Sequence, residues 1–173
     1  MSAALITPSV PQGAPSVWVT KWAHLIGSQG SQGAGGPTQG AKVLDLACGS
    51  GRHMKWLSEQ GFDVLGLDKD ASALALCKDF GRTMLCDLEL EATDQSFNPL
   101  EGLTFDAVVV TNYLHRPLFP ALLASLRDGA VLIYETFSMG QQSIGRPKRA
   151  EFLLQSGELL EMCKNLHIVA YED

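Results

Sequence analysis

Five short runs of this chain are close to continuous in apolar residues: KVLDLA at 42–47, DVLGLD at 63–68, TMLCD at 83–87, FDAVVVT at 105–111 and AVLIYET at 130–136. A strand that faces water on one side alternates polar and apolar residues. A run that is apolar at nearly every position must be covered on both sides, as strands of a parallel sheet are. Helical stretches separate these runs. Residues 51–60 end at Gly61, 71–80 follow the capping residue Asp70 and end at Gly81, and 117–127 end at Gly129. Pro117 and Pro120 fall in the first turn of the third stretch, where backbone N–H groups have no helical acceptor in any case. Residues 157–164 predict a further helix and LHIVAYE at 166–172 a last strand. Strand and helix alternating at this spacing predict an α/β fold, a doubly wound and mostly parallel sheet with right-handed crossovers.

Ahead of this region, SVWVTKWAHLI at 16–26 sets Trp18, Trp22, Leu25 and Ile26 on one stripe of an amphipathic helix. GSQGSQGAGGPTQG at 27–40 carries six glycines and no charge, and reads as a flexible tether. The chain therefore divides into an N-terminal helix and tether at 1–41 and one domain at 42–173. Nineteen acids against thirteen bases, a formal charge of −6, argue against a global grip on nucleic acid. No apolar run approaches the roughly 20 residues that cross a bilayer. The N-terminus has no basic head, and Pro8, Pro11 and Pro15 interrupt it, so it does not read as a signal peptide. Cys48, Cys77, Cys86 and Cys163 form no CxxC pair. They read as reduced thiols of a cytoplasmic protein, with no disulfide frame and no metal site.

Val43 to Gly51, VLDLACGSG, is a strand running into a Gly-x-Gly turn and then a helix. Such a turn lets backbone N–H groups approach a ligand where a side chain would block them. A dinucleotide fingerprint needs a third glycine at 54, and Met54 stands there, which counts against NAD or FAD. The second strand ends in Asp68 and the third in Asp87, both at the rim where open α/β sheets bind ligands. Carboxylates there suit ribose hydroxyls and an exocyclic amine respectively; each could instead cap a turn.

VLDLACGSG, GLDKD and CDLE together resemble the class I S-adenosylmethionine-dependent methyltransferases, whose fold is Rossmann-like. The resemblance implies S-adenosylmethionine as cofactor. By position, Ala47, Cys48, Gly49 and Gly51 would line its methionine part, and Asp68, with Lys69 beside it, would take the ribose hydroxyls. Asp87 and the Leu88 backbone would hold adenine, and Asn112 would also contact the cofactor. Asp45 stands where the family has an acid that orders the loop, sometimes reaching the cofactor's amino group through water; structural capping is an equal alternative. Ala47 departs from the glycine often found there. VLDLACGSGRHMKWLSEQGFDVLGLDKDASAL with SGELLEMCKNLHIVAYED is similar to the tellurite-resistance branch of small bacterial methyltransferases, over most of residues 42–172. TNYLHRPLFP and YETFSMGQQSIGRPKRAEFLL look like a separate bacterial subgroup, so tellurite is not carried over as substrate.

Methyl transfer is an in-line displacement in which a protein supplies alignment, and a base only where the nucleophile carries a proton. Tyr113, His115 and Arg116, after the fourth strand, are the candidate catalytic residues: a wall of the methyl pocket, a base, and a clamp for an anion. A His-Arg-Pro helix start could also be a cap. Arg146, Lys148 and Arg149 form a basic run, read either as an anion-binding flap pivoting on Gly140 and Gly145 or as a solvated charge run. His24, His53 and His167 show no ligand spacing and read as structural or solvated. The expectation is methyl transfer to a small acceptor, an anionic one where Arg116 and the basic run bind it, with a non-catalytic module that binds S-adenosylmethionine or S-adenosylhomocysteine as the alternative.

The family resemblance implies seven strands, whereas residues 42–173 supply six. The fifth strand would then carry an unpaired edge. Three outcomes are open: a six-strand sheet, a strand from a partner subunit (a homodimer), or a C-terminus that continues beyond this sequence.

Overall fold

The computed structural model describes residues 13–27, 39–89 and 98–173. Most of the expected tether, 28–38, lies outside them.

Five strands form one parallel sheet: β1 (Lys42–Leu46), β2 (Asp63–Asp68), β3 (Arg82–Leu85), β4 (Phe105–Thr111) and β5 (Leu126–Glu135). Their order is β3-β2-β1-β4-β5. The chain steps outward from β1 to β3 and then returns to the other side of β1, so the switch point lies between β1 and β4. Open α/β sheets bind their ligands outside the carboxyl ends of the strands at such a point.

Alternate residues of the three central strands feed two cores. Val43, Val64, Ala107 and Val109 face one side, under α1 (Val17–Trp22), α2 (Arg52–Glu59) and α3 (Ala71–Ala75). Leu44, Leu46, Leu65, Leu67, Val108 and Val110 face the other, under α4 (Phe119–Ala124). This two-sided burial is why the runs lack polar alternation. Val19, Ala23 and Ile26 of the N-terminal segment are buried in the first core, with Trp18 and Trp22 packed against it.

Gly66 in β2 has a local cause. A Cβ there would stand 2.1 Å from Met54 Sδ and 2.9 Å from Cys48 Sγ. The close approach of helix to sheet that a dinucleotide fingerprint obtains with a glycine on the helix is obtained here with one on the strand.

Several boundaries differ from expectation. The third strand spans Arg82–Leu85 instead of 83–87, and α3 gives way to turns after Ala75. The helix expected over 117–127 is a 3-10 turn at Arg116–Leu118 followed by α4, which stops at Ala124. Residues 126–129 belong to β5 instead, where the register to β4 slips between Phe105 and Ala107 and Arg127 pairs with Asp106 at 2.9 Å. Two short helices follow, α5 (Gln141–Ile144) and α6 (Glu158–Met162).

The sixth strand is not formed: residues 167–173 carry no regular structure. Alternating apolar residues favour an extended backbone, but a strand also needs a neighbour for its N–H and C=O groups, and no described residue provides one. Side chains tether the segment instead. Gly157 N–H donates to Tyr171 Oη at 3.2 Å, Ser156 Oγ donates to Asp173 at 2.5 Å, and Lys21 lies 3.7 Å from Glu172.

Candidate active site

Beyond β1 the chain turns sharply through Ala47 to Gly51 and enters α2. Gly49 (φ 53°) and Gly51 (φ 81°) occupy the left-handed region at no steric cost. Ala47 occupies it too (φ 55°), at a cost of about 1–2 kcal/mol for a residue with a Cβ. A Cβ on Gly51 would stand 2.7 Å from Cys77 Sγ, whereas one on Gly49 would meet nothing within 4 Å and would project into open space. Asp68 fastens the turn to β2: Gly49 N–H donates to its Oδ2 at 2.8 Å and Asp70 N–H to its Oδ1 at 2.9 Å. Each oxygen keeps lone-pair capacity for a further donor.

Asp45 lies beneath this turn, in the β1–β4 interior. It is buried, and neither carboxylate oxygen has a hydrogen-bond partner among the described residues. Burial pushes its pKa up to about 7, with Asp68 adding to the rise and the Met54 backbone and Arg52 opposing it. A buried, unpartnered carboxylate next to a glycine turn is a feature a stability-driven fold removes. It fits a site that receives a cationic or hydrogen-bond-donating group.

Thr111, Asn112 and Tyr113 at the end of β4 face Ala47 to Ser50 across the switch point. Together with Arg52 and His53 they enclose a cavity of about 250 Å³. Asn112 is itself left-handed (φ 57°), and its N–H donates to the Glu135 carbonyl at 2.9 Å. The Tyr113 hydroxyl is buried without a partner among the described residues. Burial first, then the carboxylates of Glu89, Asp87 and Asp68 and the Tyr134 phenol, raise its pKa above the ordinary phenol range.

His53, expected to be structural or solvated, is buried at this cavity's edge. Its Nε2 accepts from the Ser16 backbone N–H at 3.0 Å, so the neutral ring carries its proton on Nδ1, which lies 3.4 Å from Thr111 Oγ1. Burial first, then Arg52, lowers its pKa to about 4. Ser16 Oγ also donates a short hydrogen bond to the Glu135 carboxylate. The segment before α1 is thereby strapped to the cavity wall. Sequence reasoning missed Ser16, Arg52, His53 and Thr111. The available signal was the position of Arg52 and His53 directly after Gly51, at the start of a helix whose N-terminus meets the site.

Asp68 and Asp87 stand along the rim at the carboxyl ends of β2 and β3 and do not line the 250 Å³ cavity. Asp87 Oδ1 accepts from Glu89 N–H at 3.0 Å, and Leu88 between them is buried. Lys69 pairs with Glu89 at 3.2 Å and joins the ends of β2 and β3.

His115 and Arg116 lie at a second, larger cavity of about 380 Å³, which also takes in Leu114, Glu89 and Phe152. Arg116 is not disposed as the expected clamp. Nε and Nη2 hold Glu158 at 2.5 and 2.8 Å, while Nη1 and Nη2 donate to the carbonyls of Glu151 and Leu153 at 2.7 and 2.9 Å. In the basic run, Arg149 pairs with Glu151 and lies over the Phe152 ring at 5.2 Å. No group of three or more His, Cys, Asp or Glu among the described residues is arranged to hold a metal ion, and no helix there is long and apolar enough to cross a membrane.

Residues 43–129 match the family described as "Methyltransferase domain". The chain is 26% identical over 139 residues to a Haemophilus influenzae protein named "Probable S-adenosyl-L-methionine-dependent methyltransferase TehB", covering 76% of this chain and 48% of that one. The crystal structure of TehB from Haemophilus influenzae aligns with a TM-score of 0.59 at 23% identity, over 77% of this chain and 48% of the other. A TehB-like S-adenosylmethionine-dependent methyltransferase from Corynebacterium glutamicum aligns with a TM-score of 0.51 at 26% identity, over 74% and 65%. The chain spans about half the length of the curated relatives it matches.

Proposed function

We propose, for a chain that belongs to the methyltransferase domain family and to the TehB-like branch of its class I S-adenosylmethionine-dependent members, transfer of a methyl group from S-adenosylmethionine to a small acceptor. The observation that carries this reading is the Ala47–Gly51 turn, bound to Asp68 through Gly49 N–H at 2.8 Å, facing Tyr113 across the switch point with the unpartnered Asp45 beneath.

The residues fit the cofactor on their own chemistry. The open side of Gly49 leaves room for a ligand against the backbone, and Asp68 has acceptor capacity to spare for ribose hydroxyls. Asp45 offers an acceptor to an ammonium group, directly or through water. Asp87, with the Leu88 backbone, is the candidate for adenine, and Lys69, Asn112, Ala47 and Cys48 complete the proposed contacts. When bound, S-adenosylmethionine supplies a methyl group on a sulfonium, a good leaving arrangement that needs little acid catalysis. The protein's task is then alignment and exclusion of water. Tyr113 stands where a wall of the methyl pocket is wanted, and His115 borders the larger cavity. An anionic acceptor has weaker support, because Arg116 and Arg149 are each answered by a glutamate.

Calorimetry with S-adenosylmethionine, S-adenosylhomocysteine and NAD tests the cofactor assignment. Binding of S-adenosylhomocysteine in the micromolar range without NAD binding is expected, and the reverse would overturn it. A labelled-methyl screen against pooled metabolites then separates an enzyme from a binding module.

A further inference from the structure

Resting on the methyltransferase reading, we infer that the acceptor is an uncharged, ring-bearing nucleophile with an O–H or ring N–H, seated in the larger cavity against Phe152 with its proton directed to His115.

Location comes first. Leu114 and His115, which border this cavity, directly follow Asn112 and Tyr113, which line the smaller one. Glu89, also on its border, is bonded through its N–H to Asp87. The two cavities thus share the loop after β4, and the larger one also borders the loop after β3 that carries Asp87, so a molecule in it lies next to the proposed cofactor site. Its volume of about 380 Å³ is near the lower end of the range of roughly 300–1,000 Å³ for small-molecule sites.

Charge then narrows the class. Every formal charge on the wall has an opposite partner: Glu89 with Lys69, Arg116 with Glu158, Arg149 with Glu151. An anion entering here would have to take an arginine from its glutamate while passing the carboxylates of Glu89 and Glu151. A cation would have to displace Lys69 from Glu89. The discrimination rests on Arg116–Glu158, the least exposed of the three and held by further bonds to the Glu151 and Leu153 carbonyls; the Lys69–Glu89 and Arg149–Glu151 pairs are solvent-exposed and cost little to open. An uncharged guest disturbs none of them. The rest of the wall is Leu114, Pro117 and Phe152, with Arg149 stacked on the Phe152 ring. Apolar walls with one aromatic face suit a flat ring.

His115 is the remaining titratable group on the wall. Its side chain has no ion pair and no hydrogen bond among the described residues. The reaction balances with it. The acceptor's O or N bonds to the methyl carbon, the electron pair of the broken S–C bond stays on sulfur, and the acceptor's proton passes to His115 and on to water.

The test starts by titrating S-adenosylhomocysteine into the full chain. The saturated protein is then titrated with 2-naphthol, 4-methylphenol and benzimidazole, and with benzoate, phosphate and selenite. The same six compounds are offered with methyl-labelled S-adenosylmethionine. At least one of the neutral ring compounds is expected to bind and be methylated. Phe152→Ala should raise its KM by about tenfold, and His115→Gln should lower kcat by about 100-fold with the S-adenosylhomocysteine Kd unchanged. Methylation confined to the anions, or failure of all three ring compounds to bind the saturated protein, overturns the inference and leaves the methyltransferase reading standing. Failure of S-adenosylhomocysteine itself to bind removes that reading, and the inference with it.

Discussion

Asp45 and His53 carry opposite linkages to pH, and their separation by mutation is the sharpest test of the site's electrostatics. The Asp45 carboxyl rises from 3.8 to about 7 on folding. Between those values the unfolded chain has lost this proton and the folded chain has kept it. Stability from this group therefore falls as pH rises through the window and is lowest above about 7. His53 drops from 6.5 to about 4. Between those values the unfolded chain holds a proton there and the folded chain does not, so stability from this group rises with pH across nearly the same window. Each contributes a slope of about 1.4 kcal/mol per pH unit where its two states differ by a full proton. Asp70 and Glu158, whose carboxyls are held below their ordinary values, titrate at more acid pH and leave the window undisturbed.

The parent protein should therefore show nearly constant stability between about pH 5 and 6.5, because the two slopes cancel. Asp45→Asn leaves the histidine slope alone, so stability should climb by about 2 kcal/mol over that interval. His53→Gln leaves the aspartate slope, and stability should fall by a similar amount. At pH 7.5 the asparagine variant should exceed the parent by up to about 4 kcal/mol, since it never places an ionised carboxylate in a buried setting that offers only the Met54 backbone and the Arg52 charge in compensation. Urea unfolding followed by circular dichroism at several pH values gives each free energy by linear extrapolation. Profiles of both variants running parallel to the parent would refute the argument. A stabilised Asp45→Asn that also bound S-adenosylhomocysteine more weakly would mark Asp45 as a group kept for its ligand at the expense of the fold.

Three further outcomes are expected. Asp68→Ala should weaken S-adenosylhomocysteine binding 10- to 100-fold, about 1.5–3 kcal/mol, read by calorimetry, since it would lose the proposed ribose contacts and also release Gly49 and Asp70 N–H. Gly66→Ala should destabilise the protein by about 1–3 kcal/mol in urea unfolding, and should cost less when made in a Met54→Ala background than in the parent, because the new Cβ would stand 2.1 Å from Met54 Sδ. Arg116→Lys should speed proteolysis between α5 and α6 and cost about 1–2 kcal/mol, because an ammonium cannot reproduce a fork that holds Glu158 and two carbonyls in a partly exposed setting.

What was legible in the sequence and what was not follows from the range over which each signal acts. Burial on two sides leaves its mark at nearly every residue of β1, β2 and β4, so these strands could be located from their apolar runs, whereas β3 and β5 at the sheet edges are mostly exposed or half-buried and their bounds were misplaced. A turn that demands positive φ leaves its mark as glycine, so Gly49 and Gly51 gave away the sharp turn after β1. Asp68 was legible for a related reason, since a strand ending in an acid puts the carboxylate at the sheet rim, where Gly49 N–H meets it 19 residues away. Residues 166–172 had the periodicity of a strand, but strand formation depends on a neighbour, which periodicity does not report. Arg116 and His53 show the same limit in side chains. The arginine looked available because its acid partner stands 42 residues further on, and the histidine looked idle because its backbone donor stands 37 residues earlier. A lone charge or imidazole in a sequence states only what it can bind. The fold decides whether that capacity is spent on the protein, as with Arg116, or left without a hydrogen-bond partner among the described residues, as with Asp45.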